Sequence, residues 1–85
     1  MENFCRLYET EKYGQILVKL DHALDNTGAE IRVYVQPENF GVCSIALFYG
    51  NSDEEWDRAE KEFSKFTLEK AEKYALTMFD MVKEK

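Results

Sequence analysis

The stretch Gln15-Ile16-Leu17-Val18-Lys19-Leu20-Asp21-His22-Ala23-Leu24-Asp25-Asn26-Thr27-Gly28-Ala29-Glu30-Ile31-Arg32-Val33-Tyr34-Val35-Gln36 decides the fold. From Ile16 to His22 apolar and polar residues alternate, apart from Leu17, and from Glu30 to Gln36 they alternate again. A period of two marks a strand with one buried face. Between the runs, Asp25, Asn26 and Gly28 tolerate the left-handed backbone of a tight loop. The stretch therefore reads as a hairpin with strands over residues 15–24 and 29–36. A four-residue loop over 25–28 sets Leu24 opposite Ala29, His22 opposite Ile31, Leu20 opposite Val33 and Val18 opposite Val35. On the other face Asp21 then meets Arg32 and Lys19 meets Tyr34. One face is apolar and the other carries an opposite-charge pair. A one-residue slip would put charge into the core, so the pattern strongly favours this pairing.

Working outward, Pro37-Glu38-Asn39-Phe40-Gly41 reads as the next turn and residues 42–49 as a third strand. Two registers fit it. One turns Cys43, Ile45, Leu47 and Tyr49 inward, and the other Val42, Ser44, Ala46 and Phe48. The first set is larger and more apolar and is the expected one. Residues 4–8 read as a fourth strand, joined through residues 9–13.

Beyond the sheet, Ser52-Asp53-Glu54-Glu55 is a capping box: the Ser52 hydroxyl accepts from the Glu55 amide, and the Glu55 carboxylate reaches back to the Ser52 amide. Residues 53–84 then contain neither Gly nor Pro and favour helix. A straight helix of that length would span about 48 Å, longer than the roughly 33 Å of a ten-residue strand. The apolar pattern changes phase along it. Trp56, Ala59, Phe63 and Phe66 form one stripe; Leu68, Ala71, Ala75, Met78, Phe79 and Val82 form another, rotated by roughly 90° at 100° per residue. Ser64 and Thr67 stand at the join, where either could cap a second helix. The expectation is a helix over 53–84, bent or broken near 64–67. The resulting class is α+β: a two-layer fold, an antiparallel meander of three or four strands with a long or bent C-terminal helix on one face.

The 85 residues fit one domain. An apolar fraction of 45% and an aromatic fraction of 14% exclude a disordered acidic tail. Residues 1–14 lack the basic-then-apolar order of a signal peptide, and the longest apolar run, residues 45–49, is far short of a membrane span. The expectation is a soluble, cytoplasmic chain in which Cys5 and Cys43 are buried thiols. The net charge of −6 disfavours direct contact with nucleic-acid phosphates. Tyr8, Tyr34 and Phe48 could stack on bases from an open sheet face, but Arg6, Lys12, Lys19 and Arg32 face seven acids over residues 1–52, which weakens that reading.

No catalytic template is met. His22 is the only histidine and reads as structural. A Cys43–His22 pair lacks an orienting group and a glycine-rich oxyanion loop. No close-spaced cysteine pair suggests zinc. Asp53, Asp57 and Glu60 on one helix side offer too few oxygens for calcium, and no Gly-rich loop cradles a phosphate. No cofactor is implied, and the chain reads as a non-enzyme.

What remains is charge placement. Residues 53–62 hold six acids against two bases, whereas residues 63–85 hold four against five. The helix dipole accounts for part of this. A sharper reading is a carboxylate patch, Asp53, Glu54, Asp57 and Glu60 with Trp56 as anchor, that meets a basic protein surface. That describes a protein-binding module such as an inhibitor that covers a nucleic-acid channel, a strategy familiar, by analogy alone, from phage and mobile-element proteins. The alternative is a structural or regulatory homodimer, formed through an edge strand or through the wide second stripe with Ala71, Tyr74, Ala75, Met78, Phe79 and Val82.

Overall fold

The computed structural model describes residues 4–23, 27–37 and 41–83. Four strands, β1 (Cys5–Thr10), β2 (Gly14–His22), β3 (Ala29–Val35) and β4 (Cys43–Phe48), precede two helices, α1 (Asp53–Ser64) and α2 (Leu68–Lys83). The strands form one antiparallel sheet in the order β1-β2-β3-β4. Both helices pack on the same sheet face, so the architecture is the expected α+β meander in two layers.

Alternation places Ile16, Val18 and Leu20 of β2 and Ala29, Ile31, Val33 and Val35 of β3 under the helices. Ile16, Val18, Ile31 and Val33 are wholly buried, and each such aliphatic side chain contributes about 1.5–3 kcal/mol. β4 takes the expected register: Val35 pairs with Cys43, Val33 with Ile45 and Ile31 with Leu47, which turns that set inward. The first segment is a true strand, with Cys5 opposite Lys19 and Thr10 opposite Gly14. Its turn is held by Thr10, whose hydroxyl donates to the Gly14 carbonyl at 2.8 Å and accepts from the Tyr13 amide at 2.9 Å. Tyr13 folds under the sheet, edge-on to Phe79.

The central hairpin departs from expectation. Val18, Leu20, Ala29, Ile31, Val33 and Val35 are buried inward as expected, whereas His22 is exposed, and the pairing is displaced by two: Leu20 faces Ile31, His22 faces Ala29 and Val18 faces Val33. The loop closes one residue early on each side, through Ala23 N–H donating to the Gly28 carbonyl at 2.9 Å. The expected partner Leu24 lies outside the described residues. Gly28 is the cause. At φ +156° it lies against β4, where a Cβ would sit 2.6 Å from the Tyr49 carbonyl oxygen. Gly28, just before β3, is thus a close-approach residue rather than only a turn former. The displacement sets like charges opposite each other, Lys19 with Arg32 and Asp21 with Glu30. On an open face that costs less than about 1 kcal/mol. Pairing along each strand offsets it, Lys19 to Asp21 at 3.3 Å and Arg32 to Glu30 at 2.6 Å.

The helical segment is broken, as its phase change suggested. Ser52 caps α1 by accepting from the Glu55 amide at 3.2 Å. The reciprocal half of the box differs: the Glu55 carboxylate accepts from the Gly50 amide at 3.2 Å. Of the two candidate caps at the join, Thr67 acts, accepting from the Lys70 amide at 3.2 Å. Ser64 instead donates to the Glu60 carbonyl within α1. The break frees the Phe66 carbonyl, which accepts from Arg6 Nη1 and from the Tyr8 hydroxyl, both at 3.2 Å. Tyr8 therefore points inward, and the expected outward placement is wrong. Twelve and sixteen helical residues fit a molecule measuring 39 × 23 × 19 Å, which an unbroken 32-residue rod of about 48 Å would overrun.

Candidate functional site

α1 is the first place to look for the carboxylate patch. Ala59 and Phe63 are buried against the sheet, which fixes the roll of the helix and sends the acids outward. Asp53, Glu54 and Asp57 are exposed and Glu60 is half-exposed. The six acids of this segment separate into two groups. Glu55 is committed locally, to Arg58 at 3.4 Å and to the Gly50 amide, and Glu62 reaches Lys70 of α2 at 3.6 Å. The remaining four are the four singled out from sequence. Among the described residues none of them forms a salt bridge. At 100° per residue Asp53, Asp57 and Glu60 share one flank, and Glu54 lies further round beside Lys61. Asp57 and Glu60 line a shallow groove with Phe4, Arg6, Lys61, Phe63 and Ser64. Arg6 at its floor stacks over the Phe63 ring at 4.9 Å and donates to Phe66, so its charge is directed inward rather than at the acids.

Trp56 is less available than an anchor should be. It is half-buried, edge-on to His22 at 4.7 Å between centroids, and its Nε1 donates to Asn51 Oδ1 at 3.4 Å. His22 itself is exposed. Cys43 lies at the other end of the sheet: the row of His22 ends on Tyr49 and that of Cys43 on Ile16, about 20 Å apart along the strands. The two cannot act together. Cys43 is half-buried, and Cys5, expected to be buried, is exposed on the open face. No three His, Cys, Asp or Glu side chains converge as metal ligands among the described residues. Among the described residues no helix is long and apolar enough to cross a membrane.

The second stripe requires a correction. Ala71, Ala75 and Met78 are buried in the chain's own core and offer nothing to another copy; Tyr74, Phe79 and Val82 are half-buried. Tyr74 stacks on Phe66 at 6.0 Å. The exposed apolar residues of α2 are Leu68 (43%), Leu76 (44%) and Met81 (59%). Leu76 and Met81 lie about 140° apart around the axis at 100° per residue, so they form no single strip, and isolated exposed apolar residues are ordinary.

Apolar surface instead collects on the uncovered face of the sheet, where the sequence pointed to Tyr34 and Phe48 but not to the groove. Leu7, Leu17, Tyr34 and Val42 line one groove there with Gln15, Val35 and Gln36. Leu7 pairs with Leu17, and Leu17 pairs with Tyr34. Val42 and the even-numbered positions of β4 signalled this, because Val42, Ala46 and Phe48 are apolar on the side opposite the core. The other end of this face is charged and internally paired. The His22 amide donates to Asp21 at 2.7 Å and, with Lys19, holds the Asp21 carboxyl below its ordinary value. Glu30 holds the Arg32 guanidinium above its own. On the covered face, burial and then Glu62 push the Tyr49 phenol above the usual value.

Comparison with known proteins adds no assignment: no family description, no curated protein and no solved structure matches the chain.

Proposed function

We propose that the chain is a small acidic, non-enzymatic protein-binding module whose α1 surface docks on a basic surface of a partner protein. The observation that carries this reading is the division of labour among the α1 acids. Glu55 and Glu62 are engaged within the chain, whereas Asp53, Glu54, Asp57 and Glu60 remain outside every salt bridge among the described residues. Carboxylates grouped on one helix and held in no salt bridge raise the negative potential there and steer a positive partner, with Lys61 and Arg6 as the cations nearest to Asp57 and Glu60 in the same groove. An inhibitor covering a nucleic-acid channel is the concrete form, since such a channel is lined with Lys and Arg. Trp56 contributes its exposed edge at the rim, not as a deeply inserted anchor.

The test is the double variant Asp57→Lys/Glu60→Lys. Proteins captured by the wild-type chain from cells that carry it, or from cells it acts on, are identified by mass spectrometry, and the binding of each is then measured with both proteins. The expected result is a partner of basic surface whose affinity falls at least tenfold in the variant and falls with salt for the wild type. Equal affinity for wild type and variant, with circular dichroism unchanged, defeats the reading.

A further inference from the structure

The order β1-β2-β3-β4 leaves two edges, and they are not alike. β1 reads CRLYET, and its Arg6 and Tyr8 are tied to the helix join. β4 reads CSIALF: six residues with no charge and no proline, in a chain in which 33% of residues are charged. Sheet edges in soluble proteins are ordinarily guarded by lysines, prolines, bulges or a covering element. β4 carries none of these sequence guards. Its inward residues Cys43, Ile45 and Leu47 are only half-buried, whereas their partners Val35, Val33 and Ile31 are buried. On the open side Val42 is 67% exposed and Phe48 56%.

Hydrogen-bond direction along β4 follows from one bond. Tyr49 N–H donates to the Ala29 carbonyl at 2.8 Å. Antiparallel alternation then turns the N–H and C=O groups of Cys43, Ile45 and Leu47 toward β3 and those of Ser44, Ala46 and Phe48 away from the sheet. The complement to such a row of donors and acceptors is another extended strand.

We infer that β4 pairs antiparallel with β4 of a second copy, about a two-fold axis at Ile45, to make one continuous eight-stranded sheet. This register joins Ser44 to Ala46 of the second copy, Val42 to Phe48 and Cys43 to Leu47, each contact made twice. Three observations select a second copy as the occupant. The register is self-complementary: it sets the two most exposed apolar residues of this edge region, Val42 and Phe48, against each other. No charge of one β4 meets a like charge of the other, because β4 has none, and Glu30 and Arg32, one strand in, pair with each other. The groove of Leu7, Leu17, Tyr34 and Val42 ends at β4 and is continued by Phe48 of the second copy. A strand-edge contact lies at the small end of protein interfaces, so the dimer forms in the micromolar range rather than below it. The α1 acids take no part, and the inference stands apart from the partner-docking reading.

The test is the solution mass of the full chain, by light scattering and sedimentation, from about 10 to 500 µM, a range that brackets micromolar dissociation. Twice the 10.0 kDa of one chain is expected at the upper end. Ala46→Pro removes an N–H that faces away from β3 and should raise the dissociation constant at least tenfold with native circular dichroism. Leu47→Cys places a thiol opposite Cys43 of the second copy. Cys43 and residue 47 of one chain lie about 13 Å apart along the strand, beyond disulfide reach. A 43–47 disulfide found by mass spectrometry after mild oxidation is therefore intermolecular and reports the register. A wild-type monomer throughout the range overturns the inference, as does a dimer unaffected by a folded Ala46→Pro. If Ala46→Pro does not fold, the 43–47 linkage decides: its formation supports the pairing and its absence defeats it.

Discussion

Gly28 illustrates how a distant contact sets the demand on one residue. Its neighbours Asp25, Asn26 and Thr27 have the composition of a turn, and a glycine next to them reads as part of the loop. Yet the demand on Gly28 comes from the residues that follow β4, because the Tyr49 carbonyl oxygen and the Gly50 backbone occupy the place of a Cβ. Gly28→Ala is therefore expected to cost about 2–3 kcal/mol, combining backbone overlap with an unfavourable φ. Gly14→Ala is the control. Its φ is +71°, but a Cβ would meet nothing within 4 Å, so the cost is about 1 kcal/mol from conformation alone. Urea unfolding of the two variants checks the ranking; equal losses would mean that the close approach has no energetic weight.

Among the elements, the join between α1 and α2 fixes the covering layer to the sheet. A helix end leaves carbonyls without helical partners, and here the Phe66 carbonyl finds two donors on β1, Arg6 and Tyr8. Thr67 restarts the helix one residue later. Thr67→Ala should lower stability by about 1 kcal/mol through the lost cap. Tyr8→Phe should cost about 0.5–1 kcal/mol, because Arg6 still serves the carbonyl. Tyr8→Phe combined with Arg6→Met should cost more than the two single variants together, since the carbonyl then loses both donors. A thermal or urea double-mutant cycle measures the coupling, and strict additivity would count against a shared acceptor. The phase change near residues 64–67 was legible because the apolar stripes on either side fail to superpose on one helix. The identity of the β1 donors was not, because Arg6 and Tyr8 stand 60 and 58 residues from Phe66.

The whole molecule separates its surfaces by character: an acidic outer α1, an internally paired charged patch on the open sheet face, and an apolar groove running to the β4 edge. Acids that serve folding should be costly to neutralise, and acids that serve a partner should not. Asp57→Asn/Glu60→Gln takes the net charge from −6 to −4 and should leave the unfolding midpoint unchanged or raise stability by up to about 0.5 kcal/mol, as like-charge repulsion is relieved. A loss above about 1 kcal/mol in thermal melting would assign these carboxylates a structural role instead. The four carboxylates themselves were readable as a group because helical spacing and a capping box placed them. What engages Glu55 and Glu62 was not, because their partners, the Gly50 amide and Lys70, follow from the strand-to-helix turn and from the angle at the join.

Period-two alternation by itself divided residues 15–22, 29–36 and 42–49 between two faces, with the larger and more apolar set of the last marking its core side, and a change of helical phase marked where the C-terminal segment divides. Both are local consequences of backbone geometry, and burial of apolar surface enforces them whatever lies opposite. Only the tertiary structure decided the hairpin register, the partners of the Phe66 carbonyl, the burial of Ala71, Ala75 and Met78, and the bare edge of β4. Each of these depends on which atoms arrive from a distant part of the chain: displacing a strand by two keeps every side chain on its face and so leaves no trace in the pattern.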